Sequence, residues 1–508
     1  YHDDIHYIDG ALHIDEWAFW FDHSKAIPRS PDYPLDEAYF RERFDTYPGL
    51  LTYLKEQKDG GFWRRNSLRW QYDKIGVPCY LIGGLLDGYR DSIPRMLESM
   101  KVPIKAEIGP WNHAWPDDGT PGPNYEWRRE AVRWWDQWLK GKNTGITGDP
   151  RLTVFLRAGH GPDASLATTP GRWIAGDWPI AGTTWLKLYP AEGRRLNERP
   201  GRPIAESLRY VPTYGMNTGL WWGEPTADMR PDDAGSLVFD GAPVEKALEI
   251  AGFPRVRLRV SADVPLAHWV ARLEDVQPDG TVSLVAGALI NGSQRRSRLE
   301  PEALAPGEVA DLEFDLHFTT WTFRPGHRVR LSVTNSLFPM IWPTPFPMTT
   351  RLVASGEATR VELPVIPATG RGTPAFAPPE KREERADARD LGSDVWPAGF
   401  SEWKRDLGRG VVTYEWRGKS DFEISGRRYA STEKNVYETS EQDPAHSLFL
   451  GEDTDRIVSS GRDVYLVTNV EIRSDEKNFA VTFIRQIFEN GRLVRRREWK
   501  ETVPRVFN

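Results

Sequence analysis

The hydrophobic period of this chain changes once, near residue 150, and that change constrains its fold more than any other feature. Between residues 73 and 142, two short apolar runs, "VPCYLIGG" and "VPIKAEIG", alternate with two helical patterns, "RDSIPRMLESM" and "YEWRREAVRWWDQWLKGK". Strand, helix, strand, helix predicts a parallel sheet covered by helices. In the second helix Ala131, Trp134, Trp135 and Trp138 fall at i, i+3, i+4 and i+7, which predicts one apolar face. From about 150 to 368 the period is two. Val256, Leu258 and Val260 share a face in "RVRLRVS", as do Leu312, Phe314, Leu316 and Phe318 in "DLEFDLHF". Such strands, separated by "PDG", "APG" and "RPG" turns, predict an antiparallel β-sandwich.

The flanks differ from both. Residues 1–72 read as aromatic-rich helices and loops, and 369–399 as a linker or surface-hugging extension. Residues 400–508 are strand-like, with "ENG" as a hairpin turn between "FAVTFIRQIF" and "RLVRRREW". The expected class is α/β plus β, divided at 1–72, 73–148, 149–368, 369–399 and 400–508.

At 508 residues the chain is too long for one core. The 22 tryptophans favour a large aromatic pocket. A net charge of -7 without a basic stripe argues against nucleic acid, and no run of 18 apolar residues predicts a membrane span. The single cysteine, Cys79, rules out an internal disulfide and is compatible with a cytoplasmic protein. The opening "YHDDIHYIDG" has no targeting pattern, and a segment preceding it is expected. His2, Asp3, Asp4, His6, His13 and Asp15 match no zinc spacing, so no metal is expected, and no cofactor motif is present.

Two residues stand at strand ends. Asp87 follows "YLIGGLL" and His113 follows "KAEIGPWN". In a parallel sheet both ends face one rim, where active sites of open α/β sheets collect. An aspartate there orients an imidazole that takes a proton from a nucleophile, and Asp before His suits the α/β-hydrolase chain order. The same spacing is also compatible with a helix-capping Asp87 and a turn His113.

The runs "VPCYLIGGLLDGYRDS", "IGPWNHAWP", "REAVRWWDQWLKGKNTGI", "GRWIAGDWPI" and "TFRPGHRVRLSVTNSLFPMIWPTP" resemble, in order, the X-Pro dipeptidyl-peptidase and cocaine-esterase-like hydrolases. The resemblance covers about residues 1 to 368. It implies a helical cap, the C-terminal part of an α/β-hydrolase domain and a jelly-roll sandwich. It further implies ester or amide hydrolysis through an acyl-serine. By position Asp87 matches the triad acid and His113 the triad base. Tyr89 matches an aromatic residue of the acyl pocket, and Phe338 a sandwich residue that leans toward it; packing alone is the alternative for both. Gly84-Leu85-Leu86-Asp87 departs from the family, which usually has Trp after the glycine. Gly88, Tyr89 and Arg90 precede the next acid, Asp91, which argues against α-amino substrates.

No Gly-x-Ser-x-Gly elbow occurs; "ISGRR", "SSGRD" and "ASGEA" lack the first glycine. The expected partner is therefore an N-terminal hydrolase fragment carrying the nucleophilic serine, with a small-molecule ester or amide as substrate and a homo-oligomer as a further option. The competing class is a non-catalytic binder whose sandwich takes carbohydrate or a protein; Trp221 and Trp222 could serve such a surface, with loop packing the favoured alternative for both.

Overall fold

The computed structural model describes residues 2–508 apart from 15, 29, 31, 224–225, 369–371, 373, 382–384 and 395–399. Asp15 and part of the expected linker thus lie outside the described residues. The chain forms two compact units. One comprises Tyr1–Lys58, Phe338–Pro347 and Arg382–Asn508, the other Asp59–Leu337 and Met348–Lys381. This division differs from the expected one. The helices of the first 58 residues share a unit with the C-terminal strands, and the parallel sheet shares one with the region expected to form the sandwich.

In the second unit, β1 (Cys79–Gly84), α1 (Ser92–Ser99), β2 (Ile104–Gly109), α2 (Arg128–Lys140), β3 (Leu152–Arg157) and β4 (Gly171–Gly176) follow in sequence. The sheet order is β1-β2-β3-β4, parallel across the first three strands, with β4 antiparallel to β3. Strands β3 and β4 lie beyond residue 148 yet belong to this sheet, not to the sandwich. "LTVFLR" is buried along its whole length. A run buried on both faces carries no alternation to say which sheet it joins. Ile93 and Leu97 of α1 close one face of the sheet core with Ile108, Val154 and Leu156.

β1 is different. Among the described residues it pairs with β2 alone, and five of its six residues are only half buried. Helix α2 has two apolar sides rather than the single one expected. Trp134 is buried and packs on Tyr80 at 5.5 Å, while Val132, Trp135 and Leu139 are 59%, 54% and 74% exposed. A helix this rich in tryptophan can turn only one of its faces to a given sheet.

The region expected to form the sandwich joins its strands in a 13-stranded sheet and buries Val256, Leu258 and Val260 as expected from their alternation. "DLEFDLHF" is not one strand, however. Ala310–Asp315 ends before His317, and a new strand begins at Thr319. Two hydrogen bonds to Asp91, from His317 and the Phe318 amide, hold the break (2.8 and 2.7 Å). The described start of the expected linker hugs this unit: Phe376 stacks on Tyr125 at 4.2 Å, and the Ala377 carbonyl accepts from Glu126 N.

The first unit is a long antiparallel meander running from Val411–Ile424 to Arg492–Pro504. Its last hairpin turns through Asn490 and Gly491, both at positive φ (50° and 77°), the backbone a two-residue turn requires. Basic residues on the terminal strand leave that edge charged and solvated, which disfavours edge-to-edge pairing. The helix Glu16–Ala26 packs on this sheet: Phe19 meets Phe483, and His23 bridges Asp455 and Thr468 at 2.7 Å each. His2 stacks on Tyr7 and His6 on Tyr53 (4.6 and 3.8 Å), so these rings are spent in aromatic packing.

Candidate active site

The parallel pairing of β1 and β2 brings their C-terminal ends to one rim, and two backbone hydrogen bonds then join the exits. Leu85 N donates to Gly109 O at 2.8 Å and Leu86 N to Trp111 O at 3.0 Å. Only glycine permits this approach at Gly84, where a Cβ would lie 2.0 Å from the Trp111 carbonyl oxygen. The loop after β2 is anchored by the fully buried Trp111, among Tyr125 and Trp173, and closed by an Asn112–Thr120 backbone pair at 2.9 Å.

On this frame His113 Nδ1 lies 2.9 Å from Asp87 Oδ2. The other carboxylate oxygen, Oδ1, accepts from Tyr89 N at 2.9 Å, which fixes the plane of the carboxylate. The Asp87 side chain is 11% exposed but the His113 imidazole 58%, so the ring reaches into solvent from a sheltered carboxylate. The hydrogen bond to Asp87 holds the His113 pKa above its usual value; partial burial acts in the opposite direction and Coulomb attraction to Asp87 adds to the rise. Tyr89 stands edge-on to the imidazole at 5.5 Å and to Trp221 at 5.6 Å.

Arg90 secures the segment from below. It is 3% exposed, and its guanidinium donates to three main-chain carbonyls: Asp87 at 3.1 Å, Trp222 at 2.5 Å and Phe318 at 3.0 Å. Asp91 is committed elsewhere. Burial raises its pKa, but His317, Arg95 and Arg90 outweigh burial and hold the carboxyl well below the usual range.

Asp87, His113 and Tyr89 thus come together. Phe338 belongs to the first unit, 4% exposed, and the grouping is built without it. Trp221 and Trp222 are 9% and 2% exposed, in keeping with the packing alternative: Trp221 lies against Tyr89 and Trp222 against His317. Sequence reading missed the role of Arg90. A charged residue in a loop gives no local signal that it will be buried among carbonyls contributed from far along the chain. Among the described residues no cluster of three His, Cys, Asp or Glu side chains could hold a metal ion.

Residues 14–115 match the X-Pro dipeptidyl-peptidase (S15) family profile, and residues 126–363 match that of the X-Pro dipeptidyl-peptidase C-terminal non-catalytic domain. The chain belongs to the X-Pro dipeptidyl-peptidase and cocaine-esterase-like family. Within this family, a Mycobacterium bovis relative with a provisional serine-esterase name is 28% identical over 334 residues, covering 57% of this chain and 50% of the relative. The cocaine esterase of a Rhodococcus species is 24% identical over 310 residues, covering 54% and 52%. The chain therefore spans about half the length of these relatives. In fold it is like an aminopeptidase from a marine sediment Thaumarchaeota archaeon (TM-score 0.56, 21% identity) and an α-amino acid ester hydrolase (TM-score 0.56, 20% identity). Each likeness covers 72% of this chain and 70% of the other. No helix among the described residues is long and apolar enough to cross a membrane.

Proposed function

We propose that this chain supplies the acid and base of a serine hydrolase acting on small ester or amide substrates, and that the nucleophilic serine lies on a segment outside these 508 residues. The observation that carries the proposal is the Asp87–His113 pair at 2.9 Å, with the imidazole exposed at the rim. Asp87 keeps the proton on Nδ1. Nε2 then takes the proton of an incoming serine hydroxyl as its oxygen attacks the acyl carbon, and returns it to the leaving group. Water repeats the sequence to release the acid. Tyr89, beside the ring, would form one wall of the acyl pocket, and Asp91, already neutralised, would not select α-amino substrates.

Two further features support a serine from outside. The chain contains no serine elbow, and β1 presents an unpaired edge among the described residues, on the sheet against which α2 packs with Val132, Trp135 and Leu139 exposed. Unpaired edges and open apolar faces of this kind suit a further part of the same sheet. A fluorophosphonate probe applied to active material tests the reading. Label on a polypeptide other than this chain, lost on replacing His113 with Ala, is expected. Esterase turnover by the 58.0 kDa chain alone, verified by denaturing mass spectrometry, would refute it.

A further inference from the structure

The second unit contains a cavity whose lining does not include Asp87 or His113. It lies between the rim segment of Leu85, Leu86 and Arg90 and the sandwich residues Val285 and Phe318. Arg157, the last residue of β3, also lines it and is 6% exposed. Its Nε donates to Thr320 O at 3.0 Å, and Nη2 to Thr319 Oγ1 at 2.7 Å and Val285 O at 3.3 Å. The guanidinium sits 5.0 Å from the Trp321 ring. Among the described residues no carboxylate pairs with it.

That separates Arg157 from Arg272 and Arg360, although Arg90 of the same lining is likewise held by main-chain carbonyls. Arg272 is paired with Asp233 and Glu274 at 2.8 and 2.7 Å, and Arg360 with Glu362 at 2.6 Å. A guanidinium removed from water without a counter-ion is costly, and burial together with the nearby Arg90 charge pulls the Arg157 pKa down. The other titratable groups of the lining do not cancel this charge. Burial lowers the pKa of His160, which favours its neutral form and leaves it no negative charge to offer. Asp163 is exposed and uses Oδ1 on the amide and hydroxyl of Ser165 (2.8 and 2.7 Å). Leu86, Leu166 and Phe318 give the cavity one apolar side, while Thr169, Thr226 and Ser283 add hydroxyls to the lining.

We propose that this cavity binds a small organic carboxylate with an apolar body, the carboxylate on Arg157 and the body against Leu86, Leu166 and Phe318. With Nε and Nη2 donating to the protein, Nη1 is the donor left for the carboxylate, and the ligand supplies the counter-ion the protein omits. One wall is the segment that carries Asp87, so an occupant would also stiffen the acid-bearing turn. The site does not depend on the hydrolase reading.

The test is calorimetric titration of the whole chain with phenylacetate, with benzyl alcohol and inorganic phosphate as comparison ligands. Saturable one-to-one binding of phenylacetate is expected, at least tenfold tighter than of either comparison ligand. Arg157→Gln should abolish it. If that variant does not fold, Leu166→Trp decides: this half-buried loop position fills the cavity without touching the charge, and should weaken binding at least tenfold with unchanged near-UV circular dichroism. Absence of saturable phenylacetate binding, equal binding of benzyl alcohol, or full affinity in folded Leu166→Trp overturns the proposal. Phosphate binding as tightly as phenylacetate overturns it in favour of a general anion site.

Discussion

Replacing Gly84 with Ala perturbs the candidate site without touching either member of the dyad. The new Cβ would sit 2.0 Å from the Trp111 carbonyl oxygen, and real Cβ contacts essentially never fall below 3.0 Å, so the two strand exits must separate by 3.0 − 2.0 = 1.0 Å. The obstructing atom is backbone, and no side-chain rotation relieves it. Asp87 and His113 ride on these exits, and their 2.9 Å hydrogen bond would stretch toward about 3.9 Å, beyond hydrogen-bonding range. Overpacking of this kind costs about 1–3 kcal/mol, and weakening of the two bonds at Leu85 and Leu86 adds about 1 kcal/mol. The expected loss of stability is about 2–4 kcal/mol, read by urea unfolding. The His113 pKa should fall toward the usual imidazole value in an NMR titration, and turnover of a chromogenic ester by the serine-complemented enzyme should drop about 100-fold, the typical effect of a 1 Å misplacement. Wild-type stability with an unmoved His113 titration would refute the claim that close contact of the exits sets the dyad.

Other consequences are open to direct measurement. Asp87→Asn should lower the His113 pKa, by NMR, and reduce turnover about 10⁴-fold. Because the folded-state pKa is raised, the pair contributes stability below the unfolded imidazole pKa, and that contribution fades as pH rises through the folded value. Urea midpoints at pH 5 and pH 9 should therefore converge between wild type and variant at the higher pH, with a difference at pH 5 below about 1 kcal/mol for so exposed a ring. Arg90→Met leaves the carbonyls of Asp87, Trp222 and Phe318 without their donor and should cost about 2–5 kcal/mol in chemical denaturation, partly recovered by Arg90→Lys. Trp135→Glu, on the exposed side of α2, should change the stability of the chain by less than about 0.5 kcal/mol yet abolish co-purification with the proposed serine-bearing segment.

How much of this was legible in the sequence depends on the range of each interaction. The alternation in "RVRLRVS", the strand-helix-strand order around "YLIGG" and "KAEIG", the "ENG" hairpin and the placing of Asp87 and His113 at strand ends all follow from local periods and turn chemistry, which act over a few residues. The missing serine elbow is likewise a plain fact of the string. What the string left open needs contacts between distant segments. Burial decided that "LTVFLR" extends the parallel sheet instead of starting the sandwich, and that α2 keeps Trp134 inside and Trp135 outside. The carboxylate of Asp91 holds a strand break more than two hundred residues away, at His317 and Phe318. The N-terminal helices found their core on the C-terminal meander, far beyond the reach of any periodicity. Local pattern chooses the element and its faces; which face is covered, and by what, is settled only when the whole chain competes for the same apolar surface.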